Sequence, residues 1–180
     1  MLNLGQIILI MRKPIFLIFT GILSAIALTS CTTLTSEQYE ATAITTYTWQ
    51  VKYANGLASD KLQRLETFAE TFLLNRNGLK PEGAVTGPDD RSLWWPALPP
   101  RPTIKEVELR ERPQEEASKP ELLKNVEYRL KYRVGEQERT LPTNYQVYRQ
   151  VVKAYPSHTP LQLTLGVGDN SVEKADPVFK

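Results

Sequence analysis

Apolar and charged side chains alternate without a break over residues 126–134, and this alternation constrains the fold more than any other stretch. Apolar residues occupy every even position, and charged residues occupy every odd one. Because successive side chains of a strand point to opposite faces of its sheet, this period of two predicts a strand with one buried face and one face in water. Such a one-sided strand is typical of an antiparallel sheet.

Weaker alternation predicts further strands over residues 47–53 and 161–167. A turn at Gly135 and Glu136 allows residues 139–141 to return as a short partner strand. Together these stretches predict a mainly antiparallel sheet of three to four strands.

Two helices are predicted from apolar residues at helical spacing. The first begins at Ser59, a residue suited to N-capping, and ends at Arg76, shortly before a glycine. The second begins at Thr143, which forms a capping-box pattern with Gln146, and ends before Pro156. The apolar stripes are Leu62, Leu65, Ala69, Phe72 and Leu73 in the first helix, and Tyr145, Tyr148, Val152 and Tyr155 in the second.

Two other segments fit both helix and strand. Residues 103–112 begin with Thr103 and Glu106 at capping-box spacing, which favours a helix. Val107 and Leu109 alternate with charged residues in the same segment, which favours an edge strand. Residues 37–44, before the first predicted strand, are equally ambiguous and also fit a short helix.

These elements predict an α+β fold, a two-layer sandwich in which two helices cover the sheet of three to four strands. If residues 103–112 form a strand, the order becomes βαββαβ and the fold is ferredoxin-like. We expect a single domain over residues 37–168, with an irregular proline-rich segment at 79–102 and a flexible polar tail at 169–180.

The proline-rich segment contains the run WWPALPPRP at residues 94–102. PxxP spacing favours polyproline II, which aromatic-lined grooves recognise, so Trp94, Trp95, Pro99 and Arg101 are candidate partner-binding residues. The alternative, which we favour, is that the two tryptophans fold back onto the core. An exposed tryptophan pair would otherwise form a large apolar patch.

A second apolar segment precedes the predicted domain. Arg12 and Lys13 form a positive region, and residues 15–28 form an apolar run shorter than the roughly 20 residues that a membrane-spanning helix needs. Small residues then lead to Cys31. This order is typical of a secretory signal peptide, so we expect a signal peptide over residues 1–30, with cleavage before Cys31. Residues 1–10 are apolar and precede the charged pair, which favours Met11 over Met1 as the start of translation.

The end of this segment, Leu28-Thr29-Ser30-Cys31, resembles the lipobox of bacterial lipoproteins. The resemblance implies attachment of diacylglycerol to the Cys31 sulfur, cleavage before Cys31, and acylation of the new amine with a fatty acid such as palmitate. It also implies that Thr32 carries no inner-membrane retention signal, which in that class is Asp. The stretches WWPALPPRP and TLPTNYQVYRQ further resemble uncharacterised cyanobacterial lipoproteins.

Cys31 is the only cysteine, so no intramolecular disulfide can form, and lipidation would give the lone thiol a role. Each buried methylene contributes about 0.8 kcal/mol, so two or three acyl chains on one cysteine anchor a protein firmly where one chain does not. We expect residues 31–36 to be a short tether between lipid and domain. The alternatives are a plain secreted protein and an uncleaved N-terminal membrane helix.

The charge of the mature part argues against general nucleic-acid binding. The chain has 22 basic and 20 acidic residues, and its two charged residues before Cys31 are both basic, so the mature part has no net charge. Nucleic-acid binding requires a basic field. The expected partners are therefore a membrane, through the lipid, and a protein of the envelope.

The sequence contains no recognisable catalytic or metal-binding motif. His158, the only histidine, lies in a Pro-Ser-His-Thr-Pro stretch with no orienting acid at a useful spacing, so we predict no catalytic residue. One histidine and one lipidated cysteine cannot form a zinc site. Asp89, Asp90 and Asp169 lack the spacing of a calcium-binding loop. We expect neither a metal nor a cofactor.

The sequence thus predicts a membrane-anchored lipoprotein of the bacterial cell envelope, with its domain facing the periplasm or the outside. The domain is expected to be a non-catalytic binding or accessory subunit. One alternative is a small envelope hydrolase with two catalytic carboxylates, for which paired carboxylates with shifted pKa values in a pocket would be the sign. Another is a ligand-binding domain with an apolar pocket between sheet and helices.

Overall fold

The structure, a computed structural model, describes residues 32–55 and 63–179. The predicted signal peptide, Cys31 and Ser59 lie outside these ranges. The described part is mostly β-structure, with eight strands in one mixed sheet and two short helices. The strands are β1 (Thr33–Ser36), β2 (Gln38–Asn55), β3 (Arg64–Arg76), β4 (Glu115–Ala117), β5 (Glu121–Val134), β6 (Gln137–Thr143), β7 (Leu161–Leu165) and β8 (Val172–Pro177), and the helices are α1 (Ile104–Glu108) and α2 (Tyr145–Ala154).

The strands are ordered β1-β7-β8-β6-β5-β2-β3 across the sheet, and β4 pairs with the end of β2. All pairings are antiparallel except that of β6 with β8, which meet through Thr143 and Val172. The 18-residue strand β2 is the longest, and it pairs with β3 on one side and with β5 and β4 on the other.

The prediction of an α+β sandwich with three to four strands and two helices is wrong, and so is the ferredoxin-like alternative. The described sheet has eight strands, and its helices are short additions to one face. The error arose because β1, β4 and β8 are short or polar segments with little alternation. Pairing with longer neighbours, rather than their own pattern, makes them strands.

The largest single error is the helix predicted up to Arg76, since its described part is the strand β3. Two positions of the supposed buried stripe, Leu65 and Phe72, are 54% and 70% exposed, whereas Leu73 is buried. A bulge opposite Trp49 and Gln50 inserts Phe68 as an extra residue, which shifts the alternation of β3 by one position. The broken alternation therefore resembled a helical stripe.

Other elements follow the sequence. The alternating residues 126–134 lie in β5, and the predicted return strand lies in β6. The ambiguous residues 103–112 contain the helix α1, whose capping box joins Thr103 and Glu106 as predicted. In the ambiguous stretch 37–44, Glu37 is a bend and the other residues belong to β2. The helix α2 is confirmed, but its N-cap is Asn144, which accepts from the Val147 N–H.

Both ends of the described chain are part of the sheet. In the expected tether, Thr33 to Ser36 form β1 and pair with β7. In the expected flexible tail, Val172 and Ala175 are buried in β8. The fold thus begins next to Cys31.

One face of the sheet is covered, and the other is open in the described part of the chain. Near the middle, Val147, Tyr148 and Val151 of α2 lie in the main core with residues from β2, β5, β7 and β8. At the far end of β2, a second core joins Val51 and Tyr53 to Val107 of α1. Among the described residues, no helix is long and apolar enough to span a membrane.

Candidate binding site beside helix α1

The proline-rich segment crosses the covered face of the sheet and is held there by polar residues. The Asn75 side chain, on β3, donates to the Trp94 carbonyl at 3.1 Å and accepts from the Trp94 N–H at 2.7 Å. Thr45, on β2, donates to the same carbonyl at 2.8 Å. Further along, the Trp49 indole N–H donates to the Pro99 carbonyl at 3.0 Å. The segment therefore runs along β2 towards α1.

Trp95 packs onto the sheet. Its side chain is 8% exposed, and its ring centroid lies 5.1 Å from that of Tyr47. Its indole N–H donates to Asp89 at 2.9 Å, and the other oxygen of that carboxylate accepts from the N–H groups of Arg91 and Leu93. Asp89 thus stabilises the loop by hydrogen bonds.

The four candidate partner-binding residues differ in position. Trp95 and Pro99 are buried, Trp94 is half-buried, and Arg101 is exposed with its guanidinium 5.5 Å from the Trp49 ring centroid. The favoured alternative was that both tryptophans fold back onto the core, and the structure buries Trp95 fully and Trp94 partly. Partner binding through any of the four residues stays a prediction. Arg101 is the only charged residue among the four, and it is exposed to solvent.

The helix α1 follows the proline-rich segment directly and is held at its start and at Val107. Thr103 and Glu106 form its capping box, and Thr103 donates and accepts hydrogen bonds within it. These bonds lower the pKa of Glu106 from its ordinary value, because they stabilise the charged carboxylate. The Tyr53 hydroxyl donates to the Val107 carbonyl at 2.9 Å and holds α1 on the end of β2.

An ion-pair network ties the chain after α1 to the sheet. Arg64, on β3, pairs with Glu66 and, at 2.6 Å, with Glu115. Arg64 also donates to the Arg110 carbonyl at 2.8 Å, and Arg110 pairs with Glu66 at 3.2 Å. The hydrogen bond from Arg64 lowers the pKa of Glu115, because it stabilises the ionised carboxylate.

A groove of about 580 Å³ lies between α1 and residues 117–120, and we call it the α1 groove. Its volume is within the range of roughly 300–1,000 Å³ typical of binding pockets. Ile104 is 78% exposed at this site. The apolar part of the lining is Pro102, Ile104, Val107, Ala117 and Pro120.

Four charged residues line the α1 groove, and none of them has an ion-pair partner in the described part of the chain. Arg101 lies near Trp49, and Lys119, on the facing wall, lies beside residues 50–52 of β2. Glu108 is the last residue of α1, and Glu111 lies in the turn that follows it. The groove is thus basic at one end, acidic at the other and apolar between them.

The wall opposite α1 is an open sheet edge. Of the residues of β5, β6 pairs only with 128–134. In the described ranges, therefore, no strand pairs with residues 115–127 on the side that faces away from β2. Pro120 and several charged side chains interrupt this edge, as is common where strand addition must be limited.

The remaining sequence candidates are separate from this groove. His158 is exposed, and its ring lies 5.6 Å from that of Tyr155. Asp90 is exposed, and Asp169 lies in a turn between β7 and β8. Among residues 32–55 and 63–179, no group of three or more His, Cys, Asp or Glu side chains is arranged to hold a metal ion.

Among the residues that the structure describes, three carboxyl groups have clearly shifted pKa values, and all three pKa values are lowered. These are Glu106, Glu115 and Glu138, the last through a hydrogen bond from Lys131. A carboxyl group that acts as a general acid near neutral pH needs the opposite shift. The three groups are acceptors that hold their neighbours in place.

Sequence reasoning did not find the α1 groove. The only signal was the spacing of Ile104, Val107 and Glu108, which places these residues on one side of α1 once the segment is known to be a helix. The facing wall comes from a distant part of the chain, which no local pattern indicates. Cys31, the predicted lipidation site, lies outside the described residues.

Comparisons with protein-family models, with curated proteins and with solved structures found no match to this chain.

Proposed function

We propose that the chain is a lipid-anchored protein of the bacterial cell envelope, attached through Cys31. Its folded part would be a non-catalytic binding or accessory domain held at a membrane surface, on the periplasmic or outer side. The signal-like segment and the lone cysteine in a lipobox-like sequence suggest the anchor. The proposal involves no cofactor and no nucleic acid.

The observation that carries the proposal is the position of β1. The Leu165 N–H donates to the Thr32 carbonyl at 2.8 Å, and pairing with β7 continues through Ser36. Thr32, the residue that follows Cys31 in the sequence, is thus already hydrogen-bonded to the sheet. Acyl chains on Cys31 would therefore hold the domain against the bilayer without a long linker.

The length of β2 supports a role in binding at some distance from the anchor. Gln38 and Tyr53 are separated by about 50 Å of strand, at roughly 3.3 Å per residue. Thr32, the first described residue, can lie no more than about 22 Å from Gln38, given the reach of an extended chain. The α1 groove, at the Tyr53 end of β2, would therefore be presented away from the lipid and towards a protein partner.

The proposal is tested by fractionation of cells that express the full chain. The wild-type protein is expected in the membrane fraction, to resist extraction with high salt and to be released by detergent. Cys31→Ser is expected to accumulate as the longer, uncleaved precursor, whereas Thr33→Ser, an exposed conservative change in β1, is expected to behave as wild type. A processed wild-type protein in the aqueous extract would refute the anchor.

A further inference from the structure

We propose that the α1 groove binds an extended segment of a partner protein with an aliphatic side chain at its centre. An acidic residue of the segment would lie beside Arg101 and Lys119, and a basic residue beside Glu108 and Glu111. This inference rests on the proposed role as a binding domain and specifies the chemistry of the partner.

The walls of the α1 groove are held in place before any partner arrives. The capping box fixes the start of α1, and the hydrogen bond from Tyr53 holds it at Val107, one residue before its end. On the facing wall, Ser118 donates its N–H to the Lys52 carbonyl at 2.8 Å, and its hydroxyl accepts from the Lys52 N–H at 3.0 Å. A site that is already ordered loses less conformational entropy on binding.

The apolar lining calls for an aliphatic side chain of the partner. Ile104 is exposed and Val107 is buried below it, while Pro102 and Pro120 form apolar surface on the two sides. An isolated exposed side chain needs no explanation, but Ile104 stands beside a concavity large enough for a ligand. Covering this surface removes apolar area from water, which favours association.

The charges set the direction of the segment. Pro99 contacts Trp49, whereas Glu111 precedes Arg112, whose N–H donates to Glu115 at the Asn55 end of β2. Arg101, near Trp49, and Glu111 therefore lie towards opposite ends of the α1 groove, and Lys119 lies beside residues 50–52 of β2. Complementary charges contribute mainly to specificity and orientation, so a segment with an acid at one end and a base at the other fits one way round.

An extended conformation suits the open edge of β4 and β5 better than a helix does. The outer side of residues 115–127 has no strand partner in the described chain, so its backbone groups can pair with an added strand. Pro120 has no N–H to donate, so pairing would be limited to either side of it. The same charged residues could instead only prevent strand addition. These two roles predict different responses to charge reversal.

The test uses the purified full-length mature protein in detergent and fluorescein-labelled synthetic peptides. The probes are Asp-Asp-Val-Leu-Val-Lys-Lys and the peptide of reversed order, which cover both chain directions. The control peptides replace the Val-Leu-Val centre with three serines, or replace both acidic residues with lysine. Fluorescence anisotropy is expected to show saturable binding of at least one mixed-charge probe, and binding about tenfold weaker for the serine control.

Two lysine variants separate recognition from simple surface charge. The Lys119→Glu variant is expected to bind the mixed-charge probe about two- to fivefold more weakly, the range for loss of an exposed ion pair. Relative to that probe, it should bind the control peptide with lysines in place of both acidic residues better than the wild type does. Lys105→Glu makes the same change on α1 outside the groove lining and is expected to leave binding unchanged. Equal effects of the two variants, or no binding of either mixed-charge probe, would overturn the inference.

The two proposals fail separately. Intact mass of the same preparation reports the acyl groups on Cys31, independently of the peptide measurement. If the protein is lipidated but binds no peptide, only the inference about the α1 groove is overturned. If the protein binds the peptides but carries no acyl groups, the α1 groove is supported as a binding site and the lipid anchor is refuted.

Discussion

Asn75 and Trp94 are joined by two hydrogen bonds, in which the buried amide both donates to and accepts from the Trp94 backbone. Asn75 lies on β3, and Trp94 belongs to an irregular segment rich in proline. The side chain therefore replaces the backbone partner that a neighbouring strand would provide. Buried backbone groups need such partners, so this pair fixes the segment that leads to α1.

Replacement of Asn75 by alanine should be strongly destabilising. It would leave the Trp94 N–H without its partner, and the lost bonds should reduce the free energy of unfolding by about 2–4 kcal/mol. Asn125→Ala is the matched control, because Asn125 is an exposed strand residue on β5 with no hydrogen bond from its side chain. Urea denaturation measures both effects. Similar midpoints for the two variants would show that the bonds to Trp94 contribute little.

Gly87 should not tolerate a side chain. Its φ is +124°, and a Cβ there would lie 2.7 Å from the Leu93 carbonyl oxygen. Gly87→Ala should therefore cost at least about 2 kcal/mol from strain and overlap. Gly135→Ala is the control, since Gly135 also has a positive φ but open space around its Cβ position, and it should cost about 1 kcal/mol. Thermal unfolding that ranks Gly135→Ala as the more damaging change would contradict this geometry.

The ion pair of Arg64 and Glu115 should make stability depend on pH in the acid range. The pKa of Glu115 is lowered in the folded state, so its contribution is fully present above the unfolded value, near pH 4.5, and is lost as the pH falls through the folded value. Glu115→Gln should therefore lower stability at neutral pH and reduce the further loss on acidification. Glu116→Gln, an exposed neighbour without an ion pair, is the control. The measurement is the urea midpoint of the wild type and the two variants as a function of pH in the acid range. If the midpoints of all three proteins fall in parallel as the pH is lowered, the expectation is contradicted.

Tyr148 should limit stability at alkaline pH. Burial raises the pKa of its hydroxyl to about 12, because the charged phenolate is poorly solvated in the core. Above the ordinary value of 10 the unfolded state binds fewer protons than the folded one, so stability falls as the pH rises. Tyr148→Phe should remove part of this fall, whereas Tyr155→Phe, a less buried control, should not. Urea denaturation of the wild type and both variants, measured between pH 10 and about pH 12, tests the difference.

The sequence predicted the elements in which local pattern and tertiary environment agree. Residues 126–134 alternate between apolar and charged because one side of β5 faces the core. Thr103 and Glu106 cap α1 through hydrogen bonds between residues only three positions apart in the sequence. The helix predicted up to Arg76 is wrong because Phe68, the bulged residue, breaks the alternation of β3. Pairing with β2 then decides the conformation, and pairing is not visible in a single strand's sequence.

The candidate site was even less accessible to sequence reasoning. The α1 groove joins Ile104 to Pro120 across two chain segments, and only the pairing of β4 with β2 brings them together. Trp95 was proposed both as a binding residue and as a core anchor, and its hydrogen bond to Asp89 shows the anchoring contact. The assignment of Cys31 depends on its sequence context alone.

Lipidation of Cys31 is tested most directly by intact mass spectrometry of the wild-type protein purified from membranes. The predicted mass is that of a chain beginning at Cys31 plus a diacylglycerol group, with a third acyl chain where the amine is also modified. The predicted N-terminal peptide carries these additions on Cys31. A mass without acyl groups, or a mature chain that begins at any other residue, would contradict the membrane anchor.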